Sequence, residues 1–392
     1  KAFGDTGPGN SSTAGYYFYD LNTKINHTFN DKNRLFLSAY TGKDKASIKD
    51  QYTYNDYKST SEGGLNWGNL TTALRWNHIV NPKLFANTTL TYSKYNFITG
   101  FKDESSYLNV NTGVWENEKD QFEYNSGIYD YGGKVDFDYM PSPNHYIRFG
   151  INHTYHTFSP GVSTFKYQAS TEDTTFSEGQ KDIYSHESSV YIEDDFKVGA
   201  RLKLNVGIHV SHFLVNQKSY INPQPRVALN YLLSENTSVK ASYTHMTQYI
   251  HLLTNATVGL PTDLWVPVTD TIKPMLGNQF SLGFAHTLNK TYEITLEGYY
   301  KDMQNIIEYK DGISFLLDAS DWQKKVEMGK GWAYGGELFI QKKTGKFTGW
   351  LGYSLSWTNR QFENLNFGEI FPYKYDRRHD ISVALLYDFN DK

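Results

Sequence analysis

The side chains that could do chemistry in this sequence are histidines, carboxylates and hydroxyls, because the chain contains no cysteine. This excludes a thiolate nucleophile, a disulfide framework and a cysteine-based metal site. Histidines occur in two pairs with a spacing of three, His153 with His156 and His209 with His212. On a β-strand an odd spacing sends two side chains to opposite faces, so neither pair can bind one metal ion within its strand. Ligands from separate strands could still converge.

Motifs for catalysis and cofactor binding are missing from the sequence. There is no GxGxxG, no phosphate-binding GxxxxGK[ST] and no GxSxG nucleophile elbow. The acidic run 193–195 and the group Glu104, Glu116, Glu118 and Asp120 contain possible Ca²⁺ ligands, but solvated surface charge explains them better. The sequence therefore predicts a protein that is not an enzyme and that has no cofactor and no metal.

Composition narrows the class of protein. The chain has 392 residues and a net charge of −4, so it lacks the basic field that nucleic-acid binding uses. Only 39% of the residues are apolar, yet 16% are aromatic, which is too aromatic for a disordered chain. No apolar run is long enough for a transmembrane helix. Two classes fit: a large soluble β protein, or an outer-membrane β-barrel whose polar lumen and loops dilute its lipid face.

Strict alternation of apolar and polar residues is the main structural signal. In the segment 201–210, Leu202, Leu204 and Val206 share one face while Lys203 and Asn205 share the other. About fifteen such segments run along the chain, and they are longer than the roughly 5–6 residues of a typical strand. We expect one row to face lipid and the other to face the lumen. The expected lipid-facing residues are Leu202, Leu204, Val206, Ile208, Ile294, Leu296, Leu351, Leu355, Val383 and Leu385, and the expected lumenal ones are Lys203, Asn205, Glu293, Glu297, Ser354 and Ser356.

Connections of two lengths separate these segments. The tight turns lie at 30–33, 81–83, 141–144, 199–200, 234–236, 289–290 and 344–346. The longer polar stretches, interpreted as loops, lie at about 43–62, 99–124, 159–181, 215–223, 249–277, 309–331 and 361–375. Short turns at one end of the strands and long loops at the other are typical of an outer-membrane barrel. The predicted fold is therefore all-β, an antiparallel up-and-down transmembrane barrel that is present as an incomplete set of about fifteen long strands.

Several segments carry a resemblance to a known family. They are 222–227 (NPQPRV), 241–253 (ASYTHMTQYIHLL), 260–267 (LPTDLWVP), 331–338 (GWAYGGEL), 343–350 (KTGKFTGW) and 372–381 (PYKYDRRHDI). Together these segments resemble the TonB-dependent outer-membrane receptors of the Bacteroidetes type. The resemblance implies a barrel of about 22 strands, occluded by an N-terminal plug and energised through TonB by the proton-motive force. This chain departs from that pattern, since we find no plug domain, TonB box or terminal strand, so residues 1–392 are expected to be the middle of the barrel.

The resulting prediction is an integral protein of the bacterial outer membrane that takes up a large or scarce nutrient. Expected partners are outer-membrane lipid, TonB through an N-terminal part, a surface lipoprotein, and a small-molecule, glycan or peptide substrate; nucleic acid is not expected. A passive porin-like channel and a soluble carbohydrate-binding β protein stay as alternatives, because both can show similar alternation.

Candidate substrate-binding residues come from the loops and from the lumenal row. Aromatic rings give contact area at low entropic cost, and His and Tyr add a polar group. The candidates are Tyr107, Trp115, Tyr249, His251, Trp265 and Trp322 in the loops, with Arg148 and Arg226 below them in the lumen. If they bind substrate, they should line one vestibule. The competing interpretations are loop packing for the aromatic residues and a lumenal salt-bridge network for the arginines.

Overall fold

The computed structural model of the chain describes residues 9–169, 172–179, 182–253, 264–311 and 321–389. Strands account for nearly all of them, and two short 3₁₀ helices span Trp322–Lys325 and Asn366–Gly368. The strands are β1 (Ser11–Asn30), β2 (Asn33–Tyr54), β3 (Tyr57–Asn81), β4 (Leu84–Asn109), β5 (Val114–Ser142), β6 (His145–Ala169), β7 (Glu172–Gly179), β8 (Ile183–Val198), β9 (Leu202–Val215), β10 (Lys218–Ser234), β11 (Thr237–Gln248), β12 (Ile250–Leu253), β13 (Leu264–Pro267), β14 (Met275–Leu288), β15 (Tyr292–Tyr309), β16 (Val326–Lys342), β17 (Phe347–Gln361), β18 (Phe371–Pro372) and β19 (His379–Tyr387). No helix in these ranges is long and apolar enough to cross a membrane.

The large sheet is antiparallel and follows sequence order. Fifteen strands of nine or more residues each pair with the next one along the chain, from β1 to β19. The short strands β7 and β18 extend the edges of β6 and β17, and β12 pairs with β13 in a separate two-stranded sheet. Among the described residues no ladder joins β1 to β19. The all-β, up-and-down fold predicted from alternation is confirmed.

The expected segregation of loop length is only partly correct. The predicted tight turns are present, but three stretches interpreted as loops are strands that continue to short turns, and most of 159–181 also lies in the paired strands β6 and β7. β2 and β3 meet at 55–56, β4 and β5 at 110–113, and β9 and β10 at Asn216 and Gln217, which adopt positive φ angles of 46° and 66°. Polar alternation misled the interpretation, because backbone ladders can extend into water, where neither face needs an apolar row.

The two faces of the sheet carry the predicted rows. Cross-strand partners point to the same face, and the register pairs Leu204 with Leu229 and Val206 with Val227. Outward side chains such as Leu296 and Leu385 are 56% and 65% exposed, as expected of a surface that contacts lipid. On the other face, Asn205 Nδ2 donates to Asp195 Oδ1 at 3.2 Å. All of the residues expected on each face lie on that face in the registers.

Buried side chains cluster on the inner face, toward the end opposite the tight turns. One cluster joins Phe158, Phe213 and Val215 of the wall to Tyr249 and Val268 of the segment between β11 and β14. A second cluster contains Leu264 and Val266 of the same segment, together with Trp322 and Val326. Residues 249–253 and 264–272 between β11 and β14 therefore lie inside the curve of the sheet, where they pack against the wall.

Candidate functional site

An inward segment of residues 249–253 and 264–274 forms one side of the candidate site. The ring of Tyr249 stacks on Phe213 of β9, with centroids 4.8 Å apart and planes tilted by 4°. The Tyr249 hydroxyl lies 2.7 Å from Ser211 Oγ and accepts from Asn222 Nδ2 at 2.8 Å. Three side chains from two elements thus hold the start of this inward segment against the wall.

The hydrogen-bond network continues beyond Tyr249. Gln224 Nε2 donates to Ser211 Oγ at 2.8 Å, and Gln224 Oε1 accepts from the Thr247 backbone N–H at 3.1 Å. Farther along, the Tyr220 hydroxyl donates to the Thr269 carbonyl at 2.6 Å. Because these polar groups are satisfied within the protein, the inward segment has a defined position rather than a loose one.

A cavity of about 750 Å³ lies between this segment and the wall. Tyr249 and Trp265 line it from the inward segment, and Trp265 is 36% exposed. Tyr95, Asp130 and Glu187 line it from the wall. Its size and its mixture of aromatic and polar groups are those of a site for a small-molecule ligand.

A buried histidine lies between the two carboxylates of the cavity. His156 is 4% exposed; its Nδ1 is 2.7 Å from Asp130 Oδ1 and its Nε2 is 3.6 Å from Glu187 Oε2. His156 thus hydrogen-bonds to Asp130 and lies at ion-pair distance from Glu187, while both carboxylates face the cavity.

His251 and Trp322 belong to the packing behind the cavity. Both side chains are buried, with 3% and 4% exposure, and Trp322 packs with Leu264 and Val326. Burial lowers the pKa of His251 to about 4. Its Nε2 atom has no hydrogen-bond partner among the described residues. For these two residues, the packing interpretation fits better than ligand contact.

Arg148 and Arg226 lie on the lumenal face, as expected, but deeper than the cavity. Arg148 pairs with Glu193 at 2.9 Å and with Asp195 at 3.4 Å. The registers place Arg226 in the same lumenal row as Arg148. Arg148 lies eight residues before His156 in β6, about 26 Å along an extended strand. Neither arginine lines the cavity, and the salt-bridge interpretation fits Arg148.

Tyr107 and Trp115 lie at the tip of the β4–β5 hairpin. The Tyr107 hydroxyl donates to Glu116 at 3.0 Å and to Glu118 at 3.2 Å. Trp115 precedes the cross-strand partner of Tyr107, so the two rings point to opposite faces. Lys58 Nζ lies 5.5 Å from the centroid of the Trp115 ring. Of the eight candidates, the structure brings only Tyr249 and Trp265 to the cavity.

Sequence reasoning missed the wall residues Tyr95, Asp130, His156 and Glu187. Each lies in the inward phase of its strand, and that phase was readable from alternation. What alternation cannot show is their common height in the lumen, because height depends on the register of three ladders. Residues 254–263 of the predicted binding loop, which include Pro261, lie outside the described residues.

Comparisons with known proteins give one consistent result. The family model described as "TonB dependent receptor-like, beta-barrel" matches residues 2–390. No curated protein matches the chain. Among solved structures, the ferric-catecholate import receptor Fiu from E. coli K12 is 12% identical, with a TM-score of 0.58 over 98% of this chain and 69% of that one.

Two other solved structures are similar. FpvA of P. aeruginosa, bound to a ferric pyoverdine, is 10% identical with a TM-score of 0.56 over 97% of this chain and 59% of that one. BauA, the ferric preacinetobactin receptor of Acinetobacter baumannii, is 10% identical with a TM-score of 0.53 over 98% and 66%. At these identities the likeness concerns the fold. The chain spans about two thirds of the length of these structures.

Proposed function

Because the chain belongs to the TonB-dependent receptor β-barrel family, we propose that it forms the barrel wall of a receptor that imports a large or scarce nutrient by TonB-dependent transport. The family assignment makes the chain an integral protein of the bacterial outer membrane. The narrower Bacteroidetes type stays a prediction.

The observation that carries the proposal is the cavity between the inward segment and the wall. A receptor needs a site that holds its substrate before energy is applied, and such a site should be concave, partly apolar and held by pre-ordered groups. The cavity combines these features: Trp265 and Tyr249 supply rings, while Asp130 and Glu187 supply carboxylates, and Asp130 is held by a hydrogen bond to His156. We find no nucleophile–base pair at this cavity among the described residues, so binding and transport rather than catalysis is the proposed activity.

The proposed partners follow from the family. In this proposal TonB acts through a plug and a TonB box supplied by another part of the receptor, outer-membrane lipid surrounds the outward row, and the substrate is a small molecule, glycan or peptide. A surface lipoprotein is a further proposed partner. These assignments rest on the family and on the resemblance in the sequence.

A growth experiment tests the proposal. A strain lacking the receptor and a complemented strain are grown on limiting iron chelates, corrinoids, glycans and peptides, each with and without TonB. We expect the complemented strain to grow on one nutrient class only when TonB is present. Growth that needs the receptor but persists without TonB would identify a passive channel and contradict the proposal.

A further inference from the structure

Where β2 to β7 extend beyond the cavity, the two faces of the sheet differ in charge. Face follows from register: Asp103 pairs with Asp120 and Tyr107 with Glu116 on the inward face, next to the buried residues Phe97 and Phe122 of the same strands. In the ranges 43–54, 57–69, 95–109, 114–127, 159–169 and 172–179, every inward charged residue is acidic. These residues are Asp44, Asp50, Asp103, Glu116, Glu118, Asp120, Glu172 and Glu178.

The outward face of the same extensions carries the basic residues. All seven lysines of these ranges point outward: Lys43, Lys45, Lys49, Lys58, Lys102, Lys119 and Lys166. The outward acids Glu62, Glu104, Glu123 and Asp173 are interspersed with them. One wall therefore presents a one-signed acidic surface to the vestibule and a mixed, lysine-rich surface to the outside.

Tyrosine accompanies the inward acids, and the charges act on it. Hydrogen bonding to Glu116 raises the pKa of Tyr107 to about 12. The pKa of Tyr167 is raised by the negative charge of Glu118, with further contributions from Asp120 and Glu172. Carboxylates of β5 and β7 thus act on tyrosines of β4 and β6 on one face.

The lining of the cavity also carries acidic residues. Among the described residues that line it, the charged ones are Asp130 and Glu187, both beside the buried His156, and none is a lysine or arginine. On the opposite side of the lumen, two basic groups have partners: Arg360 Nη1 donates to Glu308 at 2.5 Å, and Lys218 Nζ lies 5.6 Å from the centroid of the Tyr220 ring. Inward carboxylates therefore run along one wall, from the hairpin tips to the cavity.

We propose that this wall selects positively charged organic substrates, which the acidic vestibule concentrates and the rings of Tyr249 and Trp265 contact in the cavity. This inference rests on the proposed function and names its substrate class. A one-signed surface beside low-dielectric walls raises the local concentration of ions of opposite sign. A desolvated cation gains further from an aromatic face within about 6 Å. The same acidic surface repels a multiply charged anion and lowers its local concentration.

The first test measures the potential on each face. Ser59 and Thr60 are neighbours that point inward and outward, and the chain has no cysteine, so a neutral fluorophore can be placed on a single introduced cysteine at either position. The intact receptor in nonionic detergent is then titrated with trimethylammonium-TEMPO and with carboxy-TEMPO, a cationic and an anionic quencher. We expect the ratio of cationic to anionic quenching at Ser59→Cys to exceed that at Thr60→Cys by roughly threefold or more.

Matched charge removal provides the control. The triple change Asp103→Asn, Glu118→Gln and Asp120→Asn should lower the ratio at position 59. Removing the outward acids by Glu62→Gln, Glu104→Gln and Glu123→Gln changes the net charge equally and should leave the ratio at position 59 nearly unchanged.

The second test uses Trp265 itself. The fluorescence of Trp265 is obtained by subtracting the fluorescence of the Trp265→Phe variant from that of the receptor. We expect trimethylammonium-TEMPO to quench this fluorescence more than carboxy-TEMPO does. Three results would each overturn the inference. They are equal quenching on the two faces, equal quenching of Trp265 by the two probes, and a Trp265 that neither probe reaches because another part of the receptor fills the cavity. TonB-dependent uptake of an anionic nutrient would overturn it while leaving the proposed function intact. TonB-independent uptake contradicts the proposed function alone.

Discussion

The ring of Tyr249 lies flat against the ring of Phe213, with centroids 4.8 Å apart and planes tilted by 4°. Tyr249 begins the inward segment, whereas Phe213 belongs to the barrel wall, so this contact joins the element that forms the cavity to the element that spans the membrane. Both rings are almost completely buried, with 3% and 0% exposure. The position of the segment therefore depends on a small number of identifiable contacts, which can be removed one at a time.

Tyr249→Phe keeps the stack and removes the hydroxyl. The change leaves Asn222 Nδ2 and Ser211 Oγ without this partner, and we expect it to destabilise the inward segment by about 1–2 kcal/mol. Faster amide exchange in 264–269 at unchanged barrel melting temperature would show this. Tyr243→Phe, which removes a hydroxyl bonded to Asn278 at 3.0 Å, is the control and should not affect exchange there. Unchanged exchange in both variants would contradict the assigned role of the hydroxyl.

The outward row can be tested with two neighbouring positions of β9. Leu204→Arg places a charge on the lipid face and should cost about 2–4 kcal/mol if the site is near the bilayer midplane. Asn205→Arg puts the same side chain in the lumen beside Asp195, where it can form an ion pair, so its cost should be much smaller. Folding titrations into lipid vesicles measure both values. Similar costs for the two variants would be inconsistent with the assigned faces.

The pKa of His251 predicts a pH dependence of the inward segment. Burial lowers this pKa from 6.5 to about 4, so the unfolded segment binds a proton that the folded segment excludes. Stability is therefore complete above pH 6.5 and declines as the pH falls from 6.5 toward 4, by roughly 3 kcal/mol over the whole interval. Limited proteolysis at pH 5 and pH 7 should show more cleavage at the lower pH.

The control for this effect is His251→Leu, which removes the titrating group while keeping an apolar side chain. Cleavage of His251→Leu relative to the wild-type receptor, compared at each pH, cancels the pH dependence of the protease. If both proteins show the same increase at pH 5, another group is responsible.

A binding experiment should distinguish the cavity, which Asp130 lines, from the deeper part of the lumen around Arg148. Asp130→Asn removes a charge that faces the cavity and should weaken the binding of a cationic substrate about tenfold. Arg148→Met breaks the pairs with Glu193 and Asp195, but it lies about 26 Å away along β6 and should leave affinity unchanged. Isothermal titration with the substrate found by the growth experiment distinguishes them. The reverse pattern would move the site to the deeper part of the lumen.

Deleting part of the inward segment tests the loop prediction made from the sequence. The proposed deletion of 254–272 begins outside the described residues and removes Trp265, Val266 and Val268 from the lumen. We expect weaker substrate binding with heat-resistant folding of the barrel retained, measured by gel mobility with and without boiling. Loss of the folded barrel would instead show that this segment is structural.

Alternation and the tight turns together predicted the all-β fold class and the pairing of consecutive strands, and alternation predicted the facing of most side chains. The reason is physical: in a two-residue repeat, the apolar row must face lipid, and a one-residue slip would expose the wrong row. Leu204 and Asn205 could therefore be assigned to opposite faces before any ladder was known. The same rule correctly separated His153 from His156.

Only the tertiary structure decided which inward residues meet. Alternation assigns Asp130, Glu187 and Arg148 to one face, but it contains no information about height, which depends on the cumulative register of neighbouring ladders. It also could not show that the segment after β11 turns into the lumen, because buried contacts such as Tyr249 with Phe213 join positions far apart in sequence. Nor could it place the tip of the β4–β5 hairpin, since a ladder in water continues for as long as backbone pairing is favourable, whatever the side-chain pattern.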